Sequence, residues 1–186
     1  MFATLTQTSL NTYPMDVAVQ RNGGVFYTDQ NNIYYYFDDC SVANSTCKRD
    51  GVVLLSGGKS ISALVISNAA SPNPADTSSS IRYLYYSDLS EQVIRRMSIV
   101  YSGDAAGGAL NVTLTRQQTP TVVAGILNTP GMQDGLCAYS KFNLITDMEI
   151  SQNDNGGNIY VLDTYNYRVR RVSTPNLHMH AKHYIY

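Results

Sequence analysis

The chain has 186 residues, enough to bury one sizeable core, and its 13 Lys plus Arg nearly balance 14 Asp plus Glu, for a formal net charge of −1. That balance gives no overall electrostatic pull toward nucleic acid or an anionic membrane, and an ordinary apolar content of 44% argues against disorder. No run of about 18 apolar residues is present, so no membrane insertion is expected.

Fifteen Tyr and no Trp favour strands, because tyrosine suits a pleated, half-buried surface with one wet edge. The opening "MFATLTQTSLNTYP" lacks both a basic and an apolar region and does not read as a signal peptide. "PMDVAVQ" (Pro14 to Gln20) then has the alternation of a half-buried strand. "NGGVFYTDQNNIYYYFD" (Asn22 to Asp38) adds a Gly-rich hairpin turn, an aromatic strand, Asp29 and a further strand. Cys40 and Cys47 follow, close enough in sequence for one local disulfide in an oxidising compartment, with Cys137 left over; the other reading is three reduced thiols. The sequon at Asn44 lies inside that short loop, and a second stands at Asn111. Together they lean toward an extracellular or lumenal address.

"GVVLLS" (Gly51 to Ser56) closes the first group. "SGGKS" (Ser56 to Ser60) imitates the end of a phosphate loop, but Val53 stands where that loop needs its first glycine, so it reads as a turn. "SALVIS" (Ser62 to Ser67) starts the next group and "IRYLYYSDLSEQVIRRMS" (Ile81 to Ser98) continues it, with Asp88, Arg95 and Arg96; "TPTVVAGI" (Thr119 to Ile126) ends it. Two stretches, Asn68 to Ser80 and Ser102 to Gln118, are rich in small and turn residues and read as surface loops. The last group opens with "ITDMEIS" (Ile145 to Ser151) and runs into "NGGNIYVLDTYNYRVRR" (Asn155 to Arg171), with Asp163, Arg168, Arg170 and Arg171. No convincing fourth strand follows Ser173.

The three groups are copies of one unit: strand, turn, strand ending in Asp, short turn, strand, and a further apolar run where the chain permits. The arginine pairs stand seven and eight residues after Asp88 and after Asp163. A four-stranded meander recurring every 40 residues or so is the signature of a propeller blade, and here the copies are spaced more widely by the two loops.

In these residues the chain resembles the NHL-repeat β-propellers. The third copy carries the resemblance best: Ala124-Gly125, Asp134-Gly135, Ala138, Phe142, Gly157-Asn158-Ile159-Tyr160-Val161, Asp163-Thr164, Asn166 and Arg168-Val169-Arg170. Departures are Ile145 in place of the proline that Pro14 keeps in copy one, Asp16 and Asp147 where a glycine is usual, and Tyr36 and Phe37 at the places of the paired arginines. The resemblance implies an all-β fold, a β-propeller segment of four-stranded antiparallel blades of NHL type. It forms one partial domain, 1–186, with blades over about 13–56, 60–126 and 143–186. Three blades leave the ring incomplete against the family's usual six or so. The chain is therefore expected to be a fragment of a larger propeller, partnered by the remaining blades or by self-association.

Each candidate site has two readings. Asp29, Asp88 and Asp163 suit turn caps at strand ends, or else a ring of carboxylates for a cation or polar ligand. Arg95, Arg96, Arg168, Arg170 and Arg171 suit salt bridges between blades, or else an anion- or nucleic-acid-binding face. His178, His180 and His183 are the only histidines and lie in the tail, so the body offers no His-dependent nucleophile and no metal or cofactor is expected. "NDNGG" (Asn153 to Gly157) lacks calcium-loop spacing and reads as a turn. The function expected is a non-catalytic scaffold that binds protein or a small ligand. The alternatives are part of a propeller enzyme whose catalytic residues lie elsewhere, and an RNA-binding propeller.

Overall fold

The computed structural model describes residues 13–19, 24–36, 52–56, 60–67, 80–102, 111–113, 119–151 and 158–173. They form three antiparallel sheets with almost no helix, the all-β class that the alternation predicts. The first sheet is a meander of β1 (Asp16–Val19), β2 (Val25–Thr28), β3 (Ile33–Tyr36) and β4 (Val52–Leu55). The second is built from β5 (Ile61–Ile66), β6 (Ser80–Asp88), β7 (Val93–Ser102), β8 (Asn111–Thr113) and β9 (Thr121–Ala124). The third contains β10 (Ile145–Ser151), β11 (Asn158–Asp163) and β12 (Arg168–Ser173).

One difference from the sequence reading lies in the second sheet. The stretch Ser102 to Gln118 reads as a loop, yet it contributes β8. The cause is the length of β7, whose ten residues offer two successive docking edges. Ile94 to Arg96 pair with β9, and Val100 to Ser102 pair with β8. The three residues of β8 are too few to announce a strand by periodicity, and a preformed neighbour supplies the pairing.

The repeat is written into the backbone as well as the side chains. Ser60 (φ 56°) and Leu144 (φ 61°) immediately precede β5 and β10, while Gln92 (φ 58°) and Tyr167 (φ 55°) immediately precede β7 and β12. Non-glycine residues rarely adopt this left-handed conformation, so its return at matching places marks equivalent corners. The first sheet turns its corner with two residues fewer. Thr28 pairs with Ile33, whereas Ser87 pairs with Ile94 and Leu162 with Val169. This corrects one expectation: Tyr34 and Tyr35, not Tyr36 and Phe37, occupy the places of the arginine pairs. Phe37 itself lies outside the described residues.

Strand alternation sorts the side chains into two apolar layers. Phe26, Ile33 and Tyr35 of the first sheet meet Leu64, Ile66, Leu84 and Tyr86 of the second. On the second sheet's other face, Val65, Tyr85 and Ile94 meet Met148, Ile150, Ile159 and Val161 of the third. Each fully buried side chain of this size is worth roughly 1.5–3 kcal/mol. Polar stitches cross the second layer. The Ser62 hydroxyl donates to the Ile145 carbonyl at 2.5 Å and lies 2.6 Å from the Ser87 hydroxyl, and the Leu144 N–H donates to Gln92 Oε1 at 2.8 Å. β1, β5 and β10 lie side by side along one margin, and the described sheets form an open fan rather than a closed ring.

Gly125 joins β9 to the segment that leads into the third sheet. Its φ is +103°, and an added Cβ would stand 2.8 Å from the Gln92 carbonyl oxygen and 3.0 Å from Val93 Cα. Its N–H donates to the Cys137 carbonyl at 3.0 Å and to the Ser140 hydroxyl at 3.2 Å. Gly125→Ala should therefore destabilise the fold by about 1–3 kcal/mol through strain and contact with unyielding backbone. Equilibrium urea unfolding checks this, and an unchanged midpoint would contradict it.

Candidate functional site

Asp88 and Asp163 end the second strands of their sheets, Asp29 immediately follows that of the first, and each is buried. Asp29 Oδ1 accepts the N–H groups of Asn31 and Asn32, both at 2.7 Å, while Oδ2 accepts the Tyr34 hydroxyl at 2.8 Å. Asp88 Oδ1 accepts the Ser90 hydroxyl (2.8 Å) and the Glu91 N–H (3.2 Å), and Oδ2 pairs with Arg95 Nε at 3.2 Å. Asp163 Oδ1 accepts the Asn143 N–H at 2.7 Å, and Oδ2 takes Asn166 Nδ2 and Arg170 Nη1, both at 2.8 Å. In all three, the carboxylate draws together the corner between the second and third strands.

The arginines divide by strand alternation. Arg170 is fully buried, with its guanidinium carbon 4.3 Å from the centre of the Phe142 ring. It donates to Asp163, to Asp134 Oδ1 (2.8 Å), and to the carbonyls of Gln133 (2.7 Å) and Lys141 (2.5 Å). Arg95, half-buried, pairs with Asp88 and Glu91. These bridges lie within a sheet and its lead-in segment, not between sheets. Arg96 and Arg171 point to the opposite face. Arg96 rests 4.5 Å over the Tyr83 ring, and Arg171 stands across from Tyr160 on β11. Of the remaining candidates, Asn111 opens β8. Cys40, Cys47, Asn44, His178, His180, His183 and the stretches Gly57 to Lys59 and Asn153 to Gly157 lie outside the described residues. Burial pushes the Cys137 thiol up to about 11, which leaves it a poor nucleophile at neutral pH.

A second constellation stands where the three first strands meet. β1, β5 and β10 are sheet-edge strands, and together they line a groove of about 230 Å³. Three of its lining residues are acids: Asp16, Asp147 and Glu149. Each accepts the N–H of the next residue along its own strand, at 2.7 Å for Asp16 to Val17, 2.8 Å for Asp147 to Met148 and 3.2 Å for Glu149 to Ile150. Asp16 also reaches across to the neighbouring sheet, where Oδ2 accepts the Leu64 N–H at 2.7 Å. The sequence reading passed over this group, although it held a signal. Asp16 and Asp147 stand at one place of the repeat, where they had registered only as replacements for glycine.

The electrostatics of the two constellations differ. Burial raises the Asp16 carboxyl; the N–H groups of Leu64 and Val17 lower it; the charges of Asp147 and Glu149 raise it further. The balance lies above the ordinary value of 3.8. Burial also works to raise Asp29, but the Asn32 side chain, the Asn31 N–H, the Tyr34 hydroxyl and the Asn32 N–H outweigh it and hold it below 3.8. Tyr34 is pushed up to about 12 by burial and then by its hydrogen bond to Asp29. Asp29 thus contributes stability that is present above pH 3.8 and lost as pH falls through its lowered value, whereas ionising Asp16 costs stability as pH rises through its raised one.

No family model and no curated protein matches the sequence. Solved structures do match in fold. An auxiliary nutrient binding protein from Bacteroides thetaiotaomicron aligns at a TM-score of 0.53 and 15% identity, over 92% of this chain and 35% of that one. A protein described in the same words from Bacteroides ovatus aligns at 0.50 and 19%, over 93% of this chain and 36% of that one. The chain therefore spans about a third of the length of either protein, and at this identity the likeness is one of fold.

Two outcomes are expected. Arg170→Met leaves the buried Asp163 carboxylate uncompensated and should cost about 3–5 kcal/mol in urea unfolding; adding Asp163→Asn should recover part of the loss. In the Asp147→Asn/Glu149→Gln protein, Asp16 should titrate at lower pH than in the wild type when followed by carboxyl NMR. An unmoved titration would show that the three acids do not share a field.

Proposed function

We propose that this chain is a non-catalytic segment of an NHL-like β-propeller that binds a small polar ligand in the groove among β1, β5 and β10. The observation that carries the reading is the convergence of three edge strands and three carboxylates on one cavity. Edge strands offer backbone carbonyls, and carboxylates offer strong acceptors. A ligand rich in O–H or N–H donors answers both. The arginines at the buried corners are engaged in holding those corners, which favours this groove over them as the ligand seat. The nutrient-binding description of proteins with this fold is in keeping with a small-molecule ligand.

The test is an amide NMR titration with monosaccharides, polyols and small amines as separate probes. One class should perturb the N–H signals of Val17, Leu64 and Met148 together. Asp147→Asn/Glu149→Gln should weaken that binding about tenfold or more, since hydrogen bonds to a charged group contribute about 1.5–3 kcal/mol. Binding that leaves those three amides unmoved, or no binding by any class, would remove the groove as the site.

A further inference from the structure

Both outer faces of the fan carry exposed apolar side chains with buried counterparts inside the molecule; on the third sheet they stand beside Asp147, Glu149 and Arg171. The third sheet presents Tyr160, Leu162 and Val169 on the face away from the second sheet, at 42%, 40% and 52% exposure. Strand pairing makes Tyr160 and Val169 the equivalents of Phe26 and Ile33 on the first sheet and of Tyr85 and Ile94 on the second. Those four are buried, because another sheet lies against them. At the opposite end, the first sheet presents Val17, Val19 and Val53, exposed by 57%, 62% and 46%. Val17 and Val19 are the equivalents of Leu64 and Ile66, which are buried beneath the first sheet, and of Met148 and Ile150, which are buried beneath the second.

Twice within the chain, then, a front face of the Phe26/Ile33 kind packs on a rear face of the Leu64/Ile66 kind. Among the described residues, the third sheet carries a front face without a rear face to meet it, and the first sheet carries the reverse. We propose that two copies of this chain associate head to tail, the third sheet of one packing on the first sheet of the other and so continuing the stacking of the interior. Among the described residues, the complement of each exposed face lies on the sheet at the opposite side of the fan. Asp147 is the equivalent of Asp16, so across the new contact it would stand beside β1 of the second copy as Asp16 stands beside β5. Such an interface is heterologous: two of them related by a twofold axis close a ring of six sheets, and an unclosed one grows further.

The experiment uses the purified chain and two variants, each altering one exposed face. Leu162→Arg spoils the third sheet and leaves the first intact, and Val19→Arg does the reverse. Light scattering across a dilution series should show the wild type at twice the monomer mass or above. Either variant alone should stay monomeric, with association weakened about tenfold or more. Mixing the two variants should restore a one-to-one complex, because one supplies a sound third sheet and the other a sound first sheet. Thermal melts check that the variants fold, and Val169→Arg stands in for Leu162→Arg if the latter does not. A wild-type monomer at high concentration, a single variant that still associates, or a mixture no heavier than its parts would each overturn the proposal.

Discussion

The structure depends on a buried carboxylate at the end of each sheet's second strand. A strand that stops there leaves the turn's N–H groups facing an apolar layer, and an unsatisfied buried donor costs about 1–3 kcal/mol. Asp29 and Asp88 answer that need for their turns, while Asp163 holds its corner through the Asn166 side chain and the Asn143 N–H. Each then requires an answer of its own, since a buried anion without partners is costlier still. The second sheet supplies Arg95 and the third supplies Arg170. The first supplies Tyr34 and the Asn32 side chain, neutral donors that suit its tighter corner. With the corners fixed, the third strands have a set register. Only then do Ile33, Ile94 and Val169 come to lie on the same face of their sheets.

From that register follow both the stacking and the groove. Because side chains alternate along a strand, fixing one position decides which residues meet the next sheet. It also decides which strand edge is left open, and all three open first strands lie at one margin. Open edges invite unwanted pairing, and inward-pointing charge is a known deterrent. Asp16, Asp147 and Glu149 serve that end by occupying their own strands' free N–H groups. The same placement concentrates acceptor oxygens on a small cavity, so protecting the edge and assembling a polar site are one arrangement of residues.

Much of this was legible in the sequence. The Asp-to-Arg spacing, the Gly-rich turns and the apolar alternation carry the repeat, and the repeat carries the all-β class. What escaped did so for physical reasons. β8 is too short to show a period. The shortened corner of the first sheet displaces the arginine equivalents by two residues, and linear spacing cannot reveal this because register is set by pairing. The groove acids belong to different sheets, far apart in sequence, and only the stacking order brings them together. Arg170 is a further case. The sequence reading placed its salt bridge between blades, but it pairs with Asp163 of its own sheet, and its hold on Gln133, Asp134 and Lys141 depends on the path of a lead-in segment that has little regular structure.

The stacking of sheets only on their immediate neighbours has a consequence for how such a chain can change over time. A substitution is felt within its own sheet and across one apolar layer, and among the described residues the core is divided into two such layers. The exchange of arginine for Tyr34 illustrates this, since a local change in turn length accommodates it and the second sheet still finds Phe26 and Ile33 where it needs them. Each copy is therefore free to drift by its own route so long as a few corner and layer positions keep their chemistry. Copies that drift in this way lose their mutual likeness as text long before they lose it as shape.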